Sequence, residues 1–392
     1  MSRIGILNFT RVARSGGGFQ YVSSLLEGLR GYSQHDIVVF YDDPAYRKFC
    51  FDSPSFKWIC LQENELVLAK VVRGISTLLG IRSPVLGRYR ELHKHNLDLL
   101  VSFDSIVGFH LGIPFLSFVG DVMYRYFPSL PEYTLRERTI RNLTAKMLTR
   151  HAECTVVDSQ QSQEDLMRFF NVERKRIQPI PLCPPPHIYA YADLQEPEIQ
   201  EVLKKYRLPP RFIFYPAQFW AHKNHVRLIR ALEILRRGYG CEIPAVFVGA
   251  AWESFDGAVS LIRELKMEEQ VHCLGYLPEK EIVALYRKAT ALVFASFADY
   301  TNIPVLEAMA LGTPIVCSNM FSMPEQVREA GLFFDPFNTE DMAKQILRVW
   351  SDESLRAQLS AHGLRRAKEL SLENFAKAWN DLIQRVLQNG KR

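Results

Sequence analysis

Residues 296–318 read SFADYTNIPVLEAMALGTPIVCS and contain two carboxylates, Asp299 and Glu307, at a spacing that could serve one ligand. The apolar run from Ala291 to Ser296 predicts a buried strand, Ile303 to Leu311 is apolar at helical spacing and closes on Gly312, and a second strand starts at Pro314. Such a loop delivers the N–H groups of Thr301, Asn302 and Ile303, with the helix N-terminus, to the carboxyl end of a parallel strand, where anions bind. Carboxylates do not bind phosphate, but they accept hydrogen bonds from hydroxyls. Both kinds of group together predict a ligand with phosphate and sugar, as in a nucleotide-sugar.

Other reactive side chains stand at similar junctions. Lys223 lies between the strand from Phe212 and a helix predicted over Val226 to Arg236, within reach of a diphosphate, and Gln218 beside it can donate a hydrogen bond without charge. A solvated helix-start lysine, a turn aspartate at 299 and a salt-bridged glutamate at 307 are the plain alternatives. Gly17 and Gly18, in the loop from Arg14 to Gln20, permit close backbone approach, yet neither a dinucleotide fingerprint nor a Walker lysine is present. Asp121 follows the strand Phe115 to Val119. Arg125 and Tyr126, just beyond, face either an acceptor or plain solvent. No Asp-x-Asp or clustered His/Cys set occurs, so no metal and no cofactor are expected; helix amides and Lys223 would stabilise the leaving charge.

The elements that must position these groups alternate strand and helix along the chain. Strands are predicted at Ile4–Asn8, Asp36–Tyr41, Leu99–Phe103, Phe115–Val119 and Cys154–Ser159. The pattern restarts at Phe212–Ala217, Ala245–Gly249, Val271–Gly275, Ala291–Ser296 and Pro314–Cys317. This is α/β, with parallel sheets covered by helices. The 392 residues suffice for two domains, and the proline-rich stretch Ile180 to His187 reads as a hinge. We expect 1–185 and 186–370 to be Rossmann-like domains, followed by an amphipathic tail over 371–392. The composition, 47% hydrophobic and 23% charged, is that of a globular protein. Seven scattered cysteines and no leader signal predict a reducing cytoplasm. Up to residue 188 there are 23 Lys and Arg against 18 Asp and Glu, which accounts for the whole net charge of +5.

The stretch around Asp299 and Glu307 resembles the C-terminal signature of the retaining family-4 glycosyltransferases, Glu-Gly-Phe-Gly-Leu-Pro-x-x-Glu-Ala-Met-Ala. Asp299 stands at the first glutamate, Glu307 at the second, and Thr301–Pro304 is a variant similar to that of members building surface polysaccharides. Ala217–Gln218 replaces the usual Gly-Arg, and Gly120 replaces a histidine before Asp121. The resemblance implies a GT-B fold with two Rossmann-like domains facing a central cleft, and a tail helix that crosses back to the first. It also implies sugar transfer from a nucleoside diphosphate to a saccharide or lipid-linked acceptor. Glu307 would then bind ribose, Asp299 the transferred sugar, Lys223 and the 301–303 amides the diphosphate, Gly275 and Tyr276 the base, and Gly17 and Gly18 the diphosphate from the first domain. A catalytic set of Asp299, Lys223 and Asp121 follows. A GT-B epimerase and a non-catalytic binding partner are the rival readings.

Leu66 to His95 interleaves basic residues, among them Lys70, Arg73, Arg82, Arg88, Arg90 and Lys94, with apolar ones. It predicts either a peripheral contact with an anionic membrane surface on the cytoplasmic face or a core-facing helix with a basic outer side. No motif for nucleic acid accompanies the modest net charge.

Overall fold

A computed structural model describes residues 2–8, 17–42, 53–61, 72, 74–77, 79–83, 87–103 and 107–389. The chain forms two units, one of Met1–Val122, Leu135–Pro181 and Leu372–Arg392, the other of Met123–Thr134 and Leu182–Ser371.

In the first unit the strands are β1 (Arg3–Asn8), β2 (Asp36–Tyr41), β3 (Phe56–Cys60), β4 (Leu99–Ser102), β5 (Phe115–Phe118), β6 (Cys154–Val157) and β7 (Ile177–Pro179). They pair in parallel in the order β3-β2-β1-β4-β5-β6-β7. Ile6 lies between Val39 and Val101 and is fully buried, as the near-continuous apolar runs of a doubly covered parallel sheet require. Helix α1 (Gly17–Tyr32) packs on the C-terminal helix Leu372–Asn389. There the Tyr21 ring meets Phe375 and Trp379, and a Cβ at Gly28 would stand 3.0 Å from that of Ala376.

In the second unit β8 (Ile213–Pro216), β9 (Ala245–Val248), β10 (Val271–Cys273), β11 (Ala291–Phe294), β12 (Ile315–Ser318) and β13 (Gly331–Phe334) form a parallel sheet in the order β10-β9-β8-β11-β12-β13. The helices that matter below are α2 (His225–Gly238), α3 (Glu279–Lys288), α4 (Ile303–Leu311) and α5 (Glu353–Glu369). Strand order reverses between β8 and β11, the crevice where open α/β sheets bind ligands.

The structure corrects the expected boundaries. Residues 182–185 belong to the second unit, and so does 123–134, although that segment lies deep in the expected first domain. Three strands escaped the pattern: β3 carries Lys57 among its apolar residues, β7 is short and ends at a proline, and β13 opens on a glycine. Helix α1 starts at Gly17, so Gly17 and Gly18 form its first turn; Arg14 to Gly16 lie outside the described residues. Of the 66–95 segment, 66–71, 73, 78 and 84–86, with the Arg88 side chain, lie outside them too. Val72, Ile75, Leu79 and Ile81 are exposed, and Gly87–His95 is a 3-10 helix. No described helix is long and apolar enough to cross a membrane.

Candidate functional site

The turn after β8 and the loop after β11 are tied together before any ligand arrives. Asn224, buried and left-handed at φ 65°, donates its side-chain amide to the carbonyls of Ala295 (3.1 Å) and Pro336 (2.8 Å). Tyr215 Oη donates to the Lys223 carbonyl, and the His222 carbonyl accepts from Ser296 Oγ and Phe297 N, each at 3.1 Å. These bonds aim two consecutive side chains at Asp299. Lys223 Nζ is 2.6 Å from Asp299 Oδ2, and His222 Nε2 is 3.8 Å from Oδ1. On its other side His222 Nδ1 is 2.6 Å from Glu132 Oε1, which also accepts from the His222 backbone N–H. The result is a chain of carboxylate, imidazole, carboxylate and ammonium. Burial pushes the Asp299 carboxyl up, but the Lys223 and His222 charges, with hydrogen bonds from Lys223 and Ser296, outweigh it and hold the group below its ordinary value. Glu132 is likewise lowered, with burial opposing and the bond from His222 prevailing.

Helix α4 enters the same crevice. Its N-cap Asn302 is buried, and Gln326 clamps its backbone: Asn302 N donates to Gln326 Oε1 (3.0 Å), and Gln326 Nε2 donates to the Asn302 carbonyl (2.9 Å). The Asn302 amide expected to meet phosphate is therefore already committed. The Ile303 N–H has no acceptor among the described residues and lies at the positive end of the helix dipole. Thr301 is half-buried beside it. One turn on, Glu307 is buried; its Oε2 accepts from Tyr286 Oη of α3 at 2.8 Å, and its Oε1 is 3.6 Å from His187 Nε2. Burial alone would lower the His187 pKa, yet the Glu307 carboxylate raises it above the ordinary value. Glu307 thus has a partner of the kind the plain alternative requires, a histidine that forms a salt bridge with it when protonated.

The remaining expected residues divide between the units. Gln218 Oε1 accepts from Trp220 Nε1 (2.8 Å), which leaves the Gln218 amide to donate, and the Trp220 ring stacks on Trp252 at 4.4 Å. Close approach of β9 matters here, because a Cβ on Gly249 would lie 2.2 Å from the Ala217 carbonyl oxygen. Gly275 has φ +71°, and Tyr276 beside it is 68% exposed. Arg125 is exposed, and Tyr126 packs on Phe321 at 5.1 Å. Both fall in the second unit, so neither lines the first unit as expected. Asp121, Gly17 and Gly18 belong to the first unit, where Asp121 Oδ2 accepts from Arg141 Nη1 at 3.5 Å.

Glu132, His222, Ser296, His187 and Tyr286 were not singled out from sequence. His222 had a signal, since it neighbours Lys223 at a strand-to-helix junction; Glu132 and His187 had none. Among the described residues no three metal-ligating side chains form a cluster.

The family model for glycosyl transferases group 1 matches residues 197–366. O-antigen chain mannosyltransferase B of Escherichia coli is 33% identical over 215 residues, covering 54% of this chain and 55% of the relative, so the chain spans about half the length of that relative. Sucrose-phosphate synthase of Thermosynechococcus elongatus superposes with a TM-score of 0.78 at 19% identity, over 99% of this chain and 100% of the other. Anabaena HepE, solved with UDP-glucose, does so with a TM-score of 0.72 at 17% identity over the same shares. The fold is that of the GT-B glycosyltransferases.

Proposed function

We propose that this chain, which carries a glycosyl transferases group 1 domain over residues 197–366, moves a hexose from a nucleoside diphosphate to a hydroxyl of a saccharide or lipid-linked saccharide, with retention. One observation carries the reading: at the β8/β11 reversal the half-buried Lys223 and Asp299, a helix N-terminus and the buried Glu307 meet. An ammonium has three donors, so Lys223 can hold Asp299 with one and the diphosphate with the others. The Ile303 N–H and the dipole of α4 add to it, and Gln218 donates without charge. Glu307 takes ribose hydroxyls, Gly275 and Tyr276 flank the base, and the gap between Asp299 Oδ1 and His222 Nε2 suits a hydroxyl of the transferred sugar. Mannose is the first sugar to test, given the named activity of the Escherichia coli relative.

In a front-face displacement the acceptor oxygen bonds to the anomeric carbon while the bond to phosphate breaks on the same face. The departing phosphate oxygen takes the acceptor proton, so catalysis rests on positioning and charge stabilisation. By resemblance Asp121, Gly17 and Gly18 act on the donor, and Arg125 and Tyr126 are assigned to acceptor contact. The exposed Val72, Ile75, Leu79 and Ile81 support peripheral contact with an anionic membrane that carries the acceptor.

Nucleotide release from a panel of UDP-, GDP- and TDP-sugars, for wild type and Glu307→Ala, with and without EDTA, tests the reading. Slow hydrolysis of one donor, lost in the variant and unchanged by EDTA, is expected. A folded protein that neither releases nor is stabilised by any nucleotide would sink the donor-site assignment.

A further inference from the structure

At the other end of the same sheet, before β11 and β12, lies an open cavity of about 350 Å³. Its wall includes Arg211, Arg287 of α3, and Arg356, Glu353 and Ser360 of α5. The Trp350 carbonyl accepts from Arg211 Nη2 at 2.8 Å and from Arg356 Nη1 at 2.9 Å, so two guanidiniums are held on one oxygen. Arg287 is pinned in turn by the carbonyls of Ala192 and Leu194. Among the described residues no carboxylate lies within ion-pair distance of any of the three. Carbonyl oxygens fix these side chains without neutralising them, and like charges so close repel. Each guanidinium has five donors, and most remain for another acceptor.

We infer that this cavity is a second anion site, separate from the Lys223 crevice, that takes a small phosphorylated molecule with its phosphoryl group on Arg211 and Arg356. Guanidinium pairs bind phosphoryl oxygens in bidentate fashion. The volume exceeds that of phosphate and falls in the range of small-molecule pockets, roughly 300–1,000 Å³, so the body of the ligand has room beside Arg287 and Ser360.

Isothermal titration of the full chain with inorganic phosphate and with pyrophosphate tests this. Two variants, Lys223→Ala and the pair Arg211→Ala with Arg356→Ala, separate this cavity from the crevice. One binding event should weaken about tenfold or more in the double variant and persist in Lys223→Ala. Arg356→Gln, which keeps a donor for the Trp350 carbonyl and controls for folding, should give an intermediate loss. Glu353→Gln should tighten binding by removing a repelling carboxylate. Absence of binding by wild type would overturn the proposal, and so would binding that vanishes in Lys223→Ala but survives in the double variant. Arginine-dependent capture by phosphatidic acid vesicles, without binding of either soluble probe, would overturn the small-molecule assignment.

Discussion

Asp299 and Lys223 show how a single contact changes the meaning of two side chains. Apart, each would be a ligand group; joined at 2.6 Å, they form a neutral pair, with Ser296 and His222 on the remaining lone pairs of Asp299. Removing one partner of a half-buried pair leaves an uncompensated charge, so both residues stabilise as well as serve. The His187–Glu307 pair makes a pH prediction. The His187 pKa is raised above 6.5 by Glu307 against the effect of burial. Its contribution to stability is therefore fully present below the unfolded value and is lost as pH rises through the folded one. Between about pH 6 and pH 8, wild type should lose denaturant stability relative to His187→Asn. Parallel pH profiles for the two proteins would refute the coupling.

At the scale of elements, α4 is held by tertiary bonds and not by its own cap. Asn302 makes no side-chain cap, and Gln326 binds both its backbone N–H and its carbonyl. Gln326→Ala should cost about 1–3 kcal/mol by leaving two buried polar groups unpaired, and should weaken nucleotide binding by loosening the helix start. Gln326→Glu keeps the acceptor and should recover part of the loss. Urea unfolding and nucleotide-induced thermal shifts measure the two effects, and an unchanged midpoint in the alanine variant would show that the clamp contributes nothing.

For the whole molecule, the division into units crosses the order of the chain. The C-terminal helix buries Phe375, Trp379, Leu382 and Ile383 within the first unit, while 123–134 supplies Glu132 to the second. Truncation after Ser371 should therefore destabilise the first unit selectively. Trp379→Ala, a milder lesion, should cost about 3–5 kcal/mol there. Calorimetry should resolve two transitions, only one of which moves; equal shifts of both would contradict separate cores.

The sequence alone determined most of the alternation of strands and helices, the parallel sheets, and the placing of Lys223 and Asp299 after strands and of Glu307 one turn inside a helix. All of these depend on local periodicity, because burying one face of an element repeats along the chain itself. Only the tertiary structure decided that Glu132 orients His222, that His187 reaches Glu307, and that the Asn302 amide is closed by Gln326. Those contacts join distant segments brought together by strand order and connection, and polar pairing leaves no periodic trace in the residues that make it. The amide of Asn302 looks free in the sequence because nothing local can reveal a glutamine two elements away.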